Sequence, residues 1–219
     1  MDHHIRQRDT HPSRERMERL LARIVADPGL HGRLVNSLAR LEYIGVRKML
    51  KSRRAEALDV DGLQHALEEA GHALRLKRLA LQLDPGVATF AAAHTLAGEE
   101  AEDYFQAVDQ AAERALADLP ESARTEPNYL LTSAAIEIRA QAFYPLYEAA
   151  LRAAGAPFSV AAIQRDEDRH LAAMAAQLAA ALPDAPARLE RVLAAEERLF
   201  DAWLDALESA CAAAAPMTA

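Results

Sequence analysis

Two stretches of the sequence place a glutamate and a histidine three residues apart within segments of helical periodicity. The first, HALEEAGHALRL, contains Glu69 and His72, and the second, AIQRDEDRHLAAM, contains Glu167 and His170. In both segments the pair shares its helix face with apolar residues at three-, four- and seven-residue steps. Both pairs are therefore expected on the buried side of a helix, where an ionised carboxylate without a partner is strongly unfavourable. Each carboxylate consequently needs a cation or a proton supplied from elsewhere in the fold.

The remaining sequence favours an all-α protein. Hydrophobic residues make up 51% of the chain, aromatic residues only 5%, and there are eight glycines among 219 residues. Alanine and leucine dominate the apolar fraction, and both favour helix over strand. Apolar periodicity and Pro/Gly breaks predict helices at about 13–26, 30–54, 60–83, 99–118, 127–153, 160–182 and 187–212.

The helix preceding each Glu-x-x-His pair carries one further glutamate on its apolar side. These are Glu42, which lies 27 residues before Glu69, and Glu137, which lies 30 residues before Glu167. Because a helix rises about 1.5 Å per residue, either gap allows the chain to run out, turn and return to a similar depth. Four carboxylates and two imidazoles would then converge, a ligand set suited to two divalent metal ions.

This order of residues resembles the ferritin-like di-iron carboxylate superfamily, in which two helices each give one Glu and two others each give a Glu-x-x-His motif. The resemblance covers about residues 30–182. It implies an antiparallel four-helix bundle with one long crossover, flanked here by N-terminal and C-terminal accessory helices. It also implies two iron ions, with manganese as an alternative at one position, and O₂ as a co-substrate. The implied metal ligands are Glu42, Glu69, His72, Glu137, Glu167 and His170.

Several neighbouring residues leave alternatives open. Glu148 lies three helical turns after Glu137 and could replace it as the fourth carboxylate. His65 lies four residues before Glu69 and could be a third nitrogen ligand or a supporting residue, whereas Glu68 is expected in solvent. Tyr144 and Tyr43 are candidates to donate a hydrogen bond near the metals or to act as catalytic residues.

The resemblance leads to an expected function, an oxidase or oxygenase that activates O₂ to act on a small organic substrate. Reducing electrons would come from an external ferredoxin or flavin reductase, since one cysteine cannot hold an iron–sulfur centre. Iron oxidation and storage is the alternative. A third interpretation is a metal-free helical interaction protein whose buried acids pair with Arg139, Arg165 or Arg169.

Charge and hydropathy limit the partners. A formal net charge of −8 argues against nucleic acid as a partner. Cys211 is the only cysteine, and no apolar run is long enough to span a membrane, so we expect a cytoplasmic protein. Phe200 and Trp203 share one stripe of the last helix, which either packs back on the bundle or forms the seam of a homodimer.

The expected organisation is a single helical domain at 13–212. A disordered tail at 1–12 precedes it, and a flexible tail at 213–219 follows.

Overall fold

The computed structural model describes residues 13–53, 56 and 58–214. These residues form seven α-helices and two short 3₁₀ helices, and no strand occurs among them. The protein is therefore all-α, as predicted. The helices are α1 (Ser13–Val25), α2 (Pro28–Ser52), α3 (Val60–Leu83), α4 (Gly98–Ala115), α5 (Thr125–Ala153), α6 (Ala161–Ala181) and α7 (Ala185–Ala213).

Local sequence signals explain where several helices begin and end. Asp27 caps α2 by accepting hydrogen bonds from the backbone N–H groups of Gly29 and Leu30, and Asp59 caps α3 in the same way. At the end of α5, Gly155 adopts a φ of +65°, the left-handed conformation that glycine tolerates best. Pro145 lies inside α5, and the helix continues past it to Ala153. These local signals fix where the turns lie, and the turns in turn fix the position along the bundle at which each helix begins.

The helices pack mainly as neighbouring pairs around one apolar core. Helix α2 lies along α3, α5 along α6, and α4 along α7, while α3 and α6 also touch each other. Phe200 and Trp203 of α7 are buried within the chain, and the Trp203 indole N–H donates to the carbonyl of Ala97 at 3.1 Å. Their stripe thus belongs to the core of this chain and does not form a surface seam.

None of the helices in the described part of the chain combines the length and the apolar character needed to cross a lipid bilayer. The tail predicted at 1–12 lies outside the described residues, as do residues 215–219 of the predicted C-terminal tail, and Ala213 is the last residue of α7.

Candidate metal centre

Four helices bring all six predicted ligands into one cluster. Helix α2 contributes Glu42, α5 contributes Glu137, and α3 and α6 contribute the two Glu-x-x-His pairs. Five of the six side chains are buried, with 2–8% of their surface exposed. Glu42 is half-buried and lines a cavity. The burial that the apolar stripes predicted therefore holds for every member except Glu42.

The ligand atoms fall into two groups that share one carboxylate. One group is His65, Glu69, Glu137 and His170, and the other is Glu42, Glu69, His72 and Glu167. Within each group the candidate ligand atoms lie within 4.8 Å of one another. Because metal–oxygen and metal–nitrogen bonds are about 2.0–2.2 Å, opposite ligands of one ion are about 4.4 Å apart. Each group could therefore hold one metal ion, and Glu69 belongs to both groups.

Both histidines of the motifs turn their Nδ1 atom toward the carboxylates. The Nδ1 atom of His170 lies 3.0 Å from Glu69 and 3.2 Å from Glu167. The Nδ1 atom of His72 lies 3.1 Å from Glu167, but it is fully buried and makes no hydrogen bond of acceptable geometry. A buried nitrogen with this environment is well suited to bind a metal ion, because an unsatisfied polar atom is otherwise costly.

Two acidic residues outside the predicted set contact the other ring nitrogen, Nε2, of these histidines. The Nε2 atom of His72 lies 3.0 Å from Asp166, and that of His170 lies 2.9 Å from Glu68. The expectation that Glu68 is a solvated neighbour is therefore wrong. The signal in the sequence was an acidic residue directly before the glutamate of each Glu-x-x-His motif. Metal-binding histidines commonly have such a carboxylate partner, which fixes the ring orientation.

Arg169 lies at the surface and pairs with both of these carboxylates, Asp166 and Glu68. Its guanidinium donates to Asp166 at 2.7 Å and to Glu68 at 3.1 Å. Of the other arginines proposed to neutralise the buried acids, Arg139 pairs with Glu196 at 2.8 Å. Within the described residues, no salt bridge joins an arginine or lysine to any of the four clustered carboxylates. Neutralisation by arginine, as the metal-free interpretation required, is therefore absent from the cluster itself.

Without a bound cation, protonated carboxyl groups and protonated imidazoles would balance the negative charge of the cluster. Burial and the charge of Glu167 raise the pKa of both Glu42 and Glu137 well above the ordinary value. Burial opposes ionisation of Glu167 too, but the close contacts with His170 and His72 outweigh it and lower its pKa. Burial also lowers the pKa of the histidines, and their carboxylate partners overcome this, raising the pKa to about 9 for His72 and about 10 for His170.

The structure distinguishes between the residues that the sequence left as alternative members of the site. Glu148 accepts hydrogen bonds from Ser159 and from the backbone N–H of Val160, so it fixes the α5–α6 turn and belongs to neither ligand group. His65 does join one group, with its Nε2 atom 3.2 Å from Glu69. The Tyr144 hydroxyl donates to Glu42 at 2.8 Å, whereas Tyr43 is 46% exposed and stacks on Phe90. Tyr144 thus lies at the cluster and Tyr43 faces away from it.

A cavity of about 100 Å³ adjoins the carboxylates. Glu42, Glu69, Glu137, Glu167 and His65 reach its wall. The rest of the wall is mostly apolar and includes Leu38, Leu41, Met49, Phe105, Phe143 and Trp203. Gly45 also lines it, and a side chain at that position would meet no atom within 4 Å. The arrangement gives the cluster a small apolar chamber on one side.

Comparison with models of protein families gave no match, and comparisons with curated proteins and with solved structures gave none either.

Proposed function

We propose that this protein is a non-haem di-iron protein with a ferritin-like fold, which activates O₂ to oxidise a small organic substrate. In this proposal α2, α3, α5 and α6 form the four-helix bundle, and α1, α4 and α7 are accessory helices. When bound, two Fe(II) ions would supply electrons to O₂. The residues of the chain hold the ions, supply the chamber for the substrate and control protons beside it.

One observation carries the proposal: a cluster of four carboxylates with histidines, three of the carboxylates buried and Glu42 half-buried, that no arginine or lysine neutralises among the described residues. Two divalent ions would balance four ionised carboxylates. The same cluster without metal reaches neutrality when two carboxyl groups and two imidazoles hold protons, in agreement with the directions of their pKa shifts. A site that exchanges protons for metal in this way is typical of metal-binding cores.

The ligand groups support two ions that are not equivalent. His65 would give its ion a second nitrogen beside His170, while the other ion would have His72 alone. Nitrogen and carboxylate donors together suit iron and manganese. Elemental analysis of the purified protein therefore has to decide between iron at both positions and manganese at one.

The apolar chamber favours an organic substrate over iron storage. Hydrophobic side chains line the same cavity as Glu42 and Glu137, where a storage protein would need a polar route for hydrated iron. Tyr144 lines the chamber and holds Glu42 by a hydrogen bond, so it is placed to position that carboxylate next to a substrate. Cys211 is buried in α7, which supports an external protein or flavin as the electron donor.

Anaerobic loading with Fe(II), followed by exposure to O₂ with absorbance recorded, tests the proposal. We expect about two irons per chain and a spectral change on oxidation. Glu137→Gln should lose at least half of the iron, whereas Glu148→Gln, a buried glutamate on the same helix outside the cluster, should keep it. Wild-type protein that takes up no metal would overturn the proposal and leave a metal-free polar core.

The same assay separates the two iron functions. With excess Fe(II) and O₂, a storage protein oxidises many irons per chain, whereas an oxygenase stops near two and consumes further O₂ only with substrate and reductant. Uptake of many irons per chain would replace oxygenase by iron storage as the function.

A further inference from the structure

The outer face of α3 exposes a row of large apolar side chains. Val60, Leu63, Leu67, Leu74 and Leu81 are 79, 55, 67, 51 and 37% exposed. The opposite face of the same helix buries Glu69, His72, Leu76 and Ala80 toward the interior. A continuous apolar row on an otherwise charged surface marks a site of association, because isolated exposed leucines would be scattered.

The spacing of the row is that of a helix–helix seam. Val60, Leu67, Leu74 and Leu81 follow one another at intervals of seven residues, and Leu63 lies three residues after Val60. A seven-residue apolar repeat keeps its side chains facing one partner helix along the whole length. From the first to the last residue the row is roughly 30 Å long, at about 1.5 Å per residue.

The middle of the row contains two small residues, Ala70 and Gly71, both exposed. Among the described residues, a side chain added at Gly71 would meet no atom within 4 Å beyond its own helix turn, so packing there does not require glycine. Glycine in a helix interior is nonetheless unfavourable by about 1 kcal/mol relative to alanine. Close approach of another helix at this point accounts for both small residues.

We propose that two copies of this chain associate through α3, antiparallel, with a two-fold axis next to Ala70 and Gly71. In this register Leu67 faces the partner's Leu74, and Val60 faces the partner's Leu81. An isologous contact of this kind is the commonest arrangement in soluble homo-oligomers. The apolar row then becomes the core of the interface, on the side of α3 opposite to its metal-cluster residues.

The charges along α3 select the antiparallel direction. Exposed Asp59 and Asp61 lie at its N-terminal end, and exposed Arg75 and Arg78 lie in its C-terminal half. None of these four side chains forms a salt bridge in the part of the chain that the structure describes. Antiparallel pairing brings the acidic N-terminal end of one α3 level with the basic C-terminal half of the other, whereas parallel pairing would align like charges.

Disulfide trapping tests both the contact and its direction. Ala70→Cys should cross-link to its own symmetry mate under mild oxidation. Leu81→Cys alone should not cross-link, but a mixture of Val60→Cys and Leu81→Cys chains should form the mixed dimer. The natural Cys211 is buried and gives little background. Cross-linking of Leu81→Cys alone, or none by Ala70→Cys, would overturn the proposed register.

Sedimentation equilibrium gives an independent readout. The wild type should sediment at twice the chain mass of 23.9 kDa. Leu67→Glu should be a monomer, because it places two carboxylates in the seam, while Ala194→Glu, at an exposed position of α7, should stay dimeric. A helical circular-dichroism spectrum would verify that Leu67→Glu folds. A monomeric wild type would overturn the proposal, and its binding to anionic lipid vesicles would assign the row to a membrane surface.

Discussion

The Nε2 atom of His72 on α3 lies 3.0 Å from a carboxylate oxygen of Asp166 on α6. The mirror contact joins His170 on α6 to Glu68 on α3 at 2.9 Å. Each Glu-x-x-His motif thus supplies the carboxylate that orients the histidine of the other. The two halves of the candidate metal centre are therefore linked by two reciprocal contacts in addition to any shared metal ion.

Removal of one of these contacts should weaken metal binding without abolishing it. Asp166→Asn is expected to lower the affinity for Fe(II) or a substitute divalent ion by about 10–100-fold, since the imidazole loses the carboxylate that fixes its ring and increases its basicity. A competition titration with a chromogenic chelator measures the change.

Asp168→Asn is the matched control, because Asp168 lies on the same helix, is exposed and accepts a hydrogen bond from Gln141 rather than from a cluster histidine. It should retain wild-type affinity. Equal affinities for the wild type and Asp166→Asn would show that the contact does not support a metal ligand.

These contacts also show where sequence reasoning reaches its limit. The six clustered residues were predictable, because charged residues on apolar stripes at helical spacing require a buried partner. Glu68 and Asp166 were not, since a rotation of about 100° from the buried glutamate indicates solvent on an isolated helix. Only the approach of α3 to α6 turns that direction into a contact with the other histidine. The periodicity of one helix does not identify residues whose role depends on how two helices pack.

The same limit applies to the choice between Glu137 and Glu148. Both lie on one face of α5 and both are buried, so periodicity admits either. What separates them is the turn after α5, where Glu148 accepts hydrogen bonds from Ser159 and Val160. The position at which α6 begins relative to α5 depends on tertiary packing, and it decides whether Glu137 or Glu148 reaches the cluster.

Loss of His65 should affect one ion more than the other. His65 belongs to the group with Glu137 and His170 and is absent from the group with Glu42 and His72. His65→Ala is therefore expected to retain close to one tightly bound metal per chain and to hold the second more weakly. Stepwise titration with metal analysis distinguishes the two affinities.

His94→Ala provides the comparison, because His94 lies in the short 3₁₀ helix Ala92–His94, bonds to Thr89 and belongs to neither ligand group. It should bind two equivalents as the wild type does. Unchanged stoichiometry and affinities in His65→Ala would assign His65 a purely structural role.

Metal uptake should release protons. Burial opposes charge on both histidines, but their carboxylate partners raise the pKa to about 9 for His72 and about 10 for His170, so both carry a proton at neutral pH. Glu42 and Glu137 also favour their protonated forms. A pair of divalent ions should therefore displace at least two protons, and up to four, and bind more tightly as the pH rises. Calorimetric titration in buffers of different ionisation enthalpy counts these protons; a count below two would contradict the prediction.

The metal-free protein should lose stability at alkaline pH. Because the pKa values of His72 and His170 lie above the ordinary 6.5, their contribution is complete below pH 6.5 and is lost as the pH rises through about 9 and 10. Thermal unfolding followed by circular dichroism should show a decreasing Tm between pH 7 and 10. The metal-loaded protein should lack this decrease, since the metal replaces the protons. A Tm of the metal-free protein that is constant over this range would contradict the assigned contacts.

A second buried ion pair is expected to stabilise the accessory helices against the core. Arg139 of α5 donates to Glu196 of α7 at 2.8 and 3.1 Å, the Tyr104 hydroxyl donates to the same carboxylate at 2.7 Å, and Glu196 has no exposed surface. Glu196→Gln removes the negative charge and leaves the Arg139 guanidinium buried without its counter-ion. Breaking a buried pair in this way costs about 3–5 kcal/mol of unfolding free energy.

Chemical denaturation with urea measures this loss, and a second variant separates charge from packing. Arg139→Met combined with Glu196→Leu removes both charges and should recover most of the stability, because apolar replacements of similar volume are often neutral. Glu113→Gln disrupts an exposed pair with Arg124 and should change the unfolding free energy by less than about 1 kcal/mol. If Glu196→Gln is as stable as Glu113→Gln, then the charge of Glu196 is not needed to hold α7 on α5.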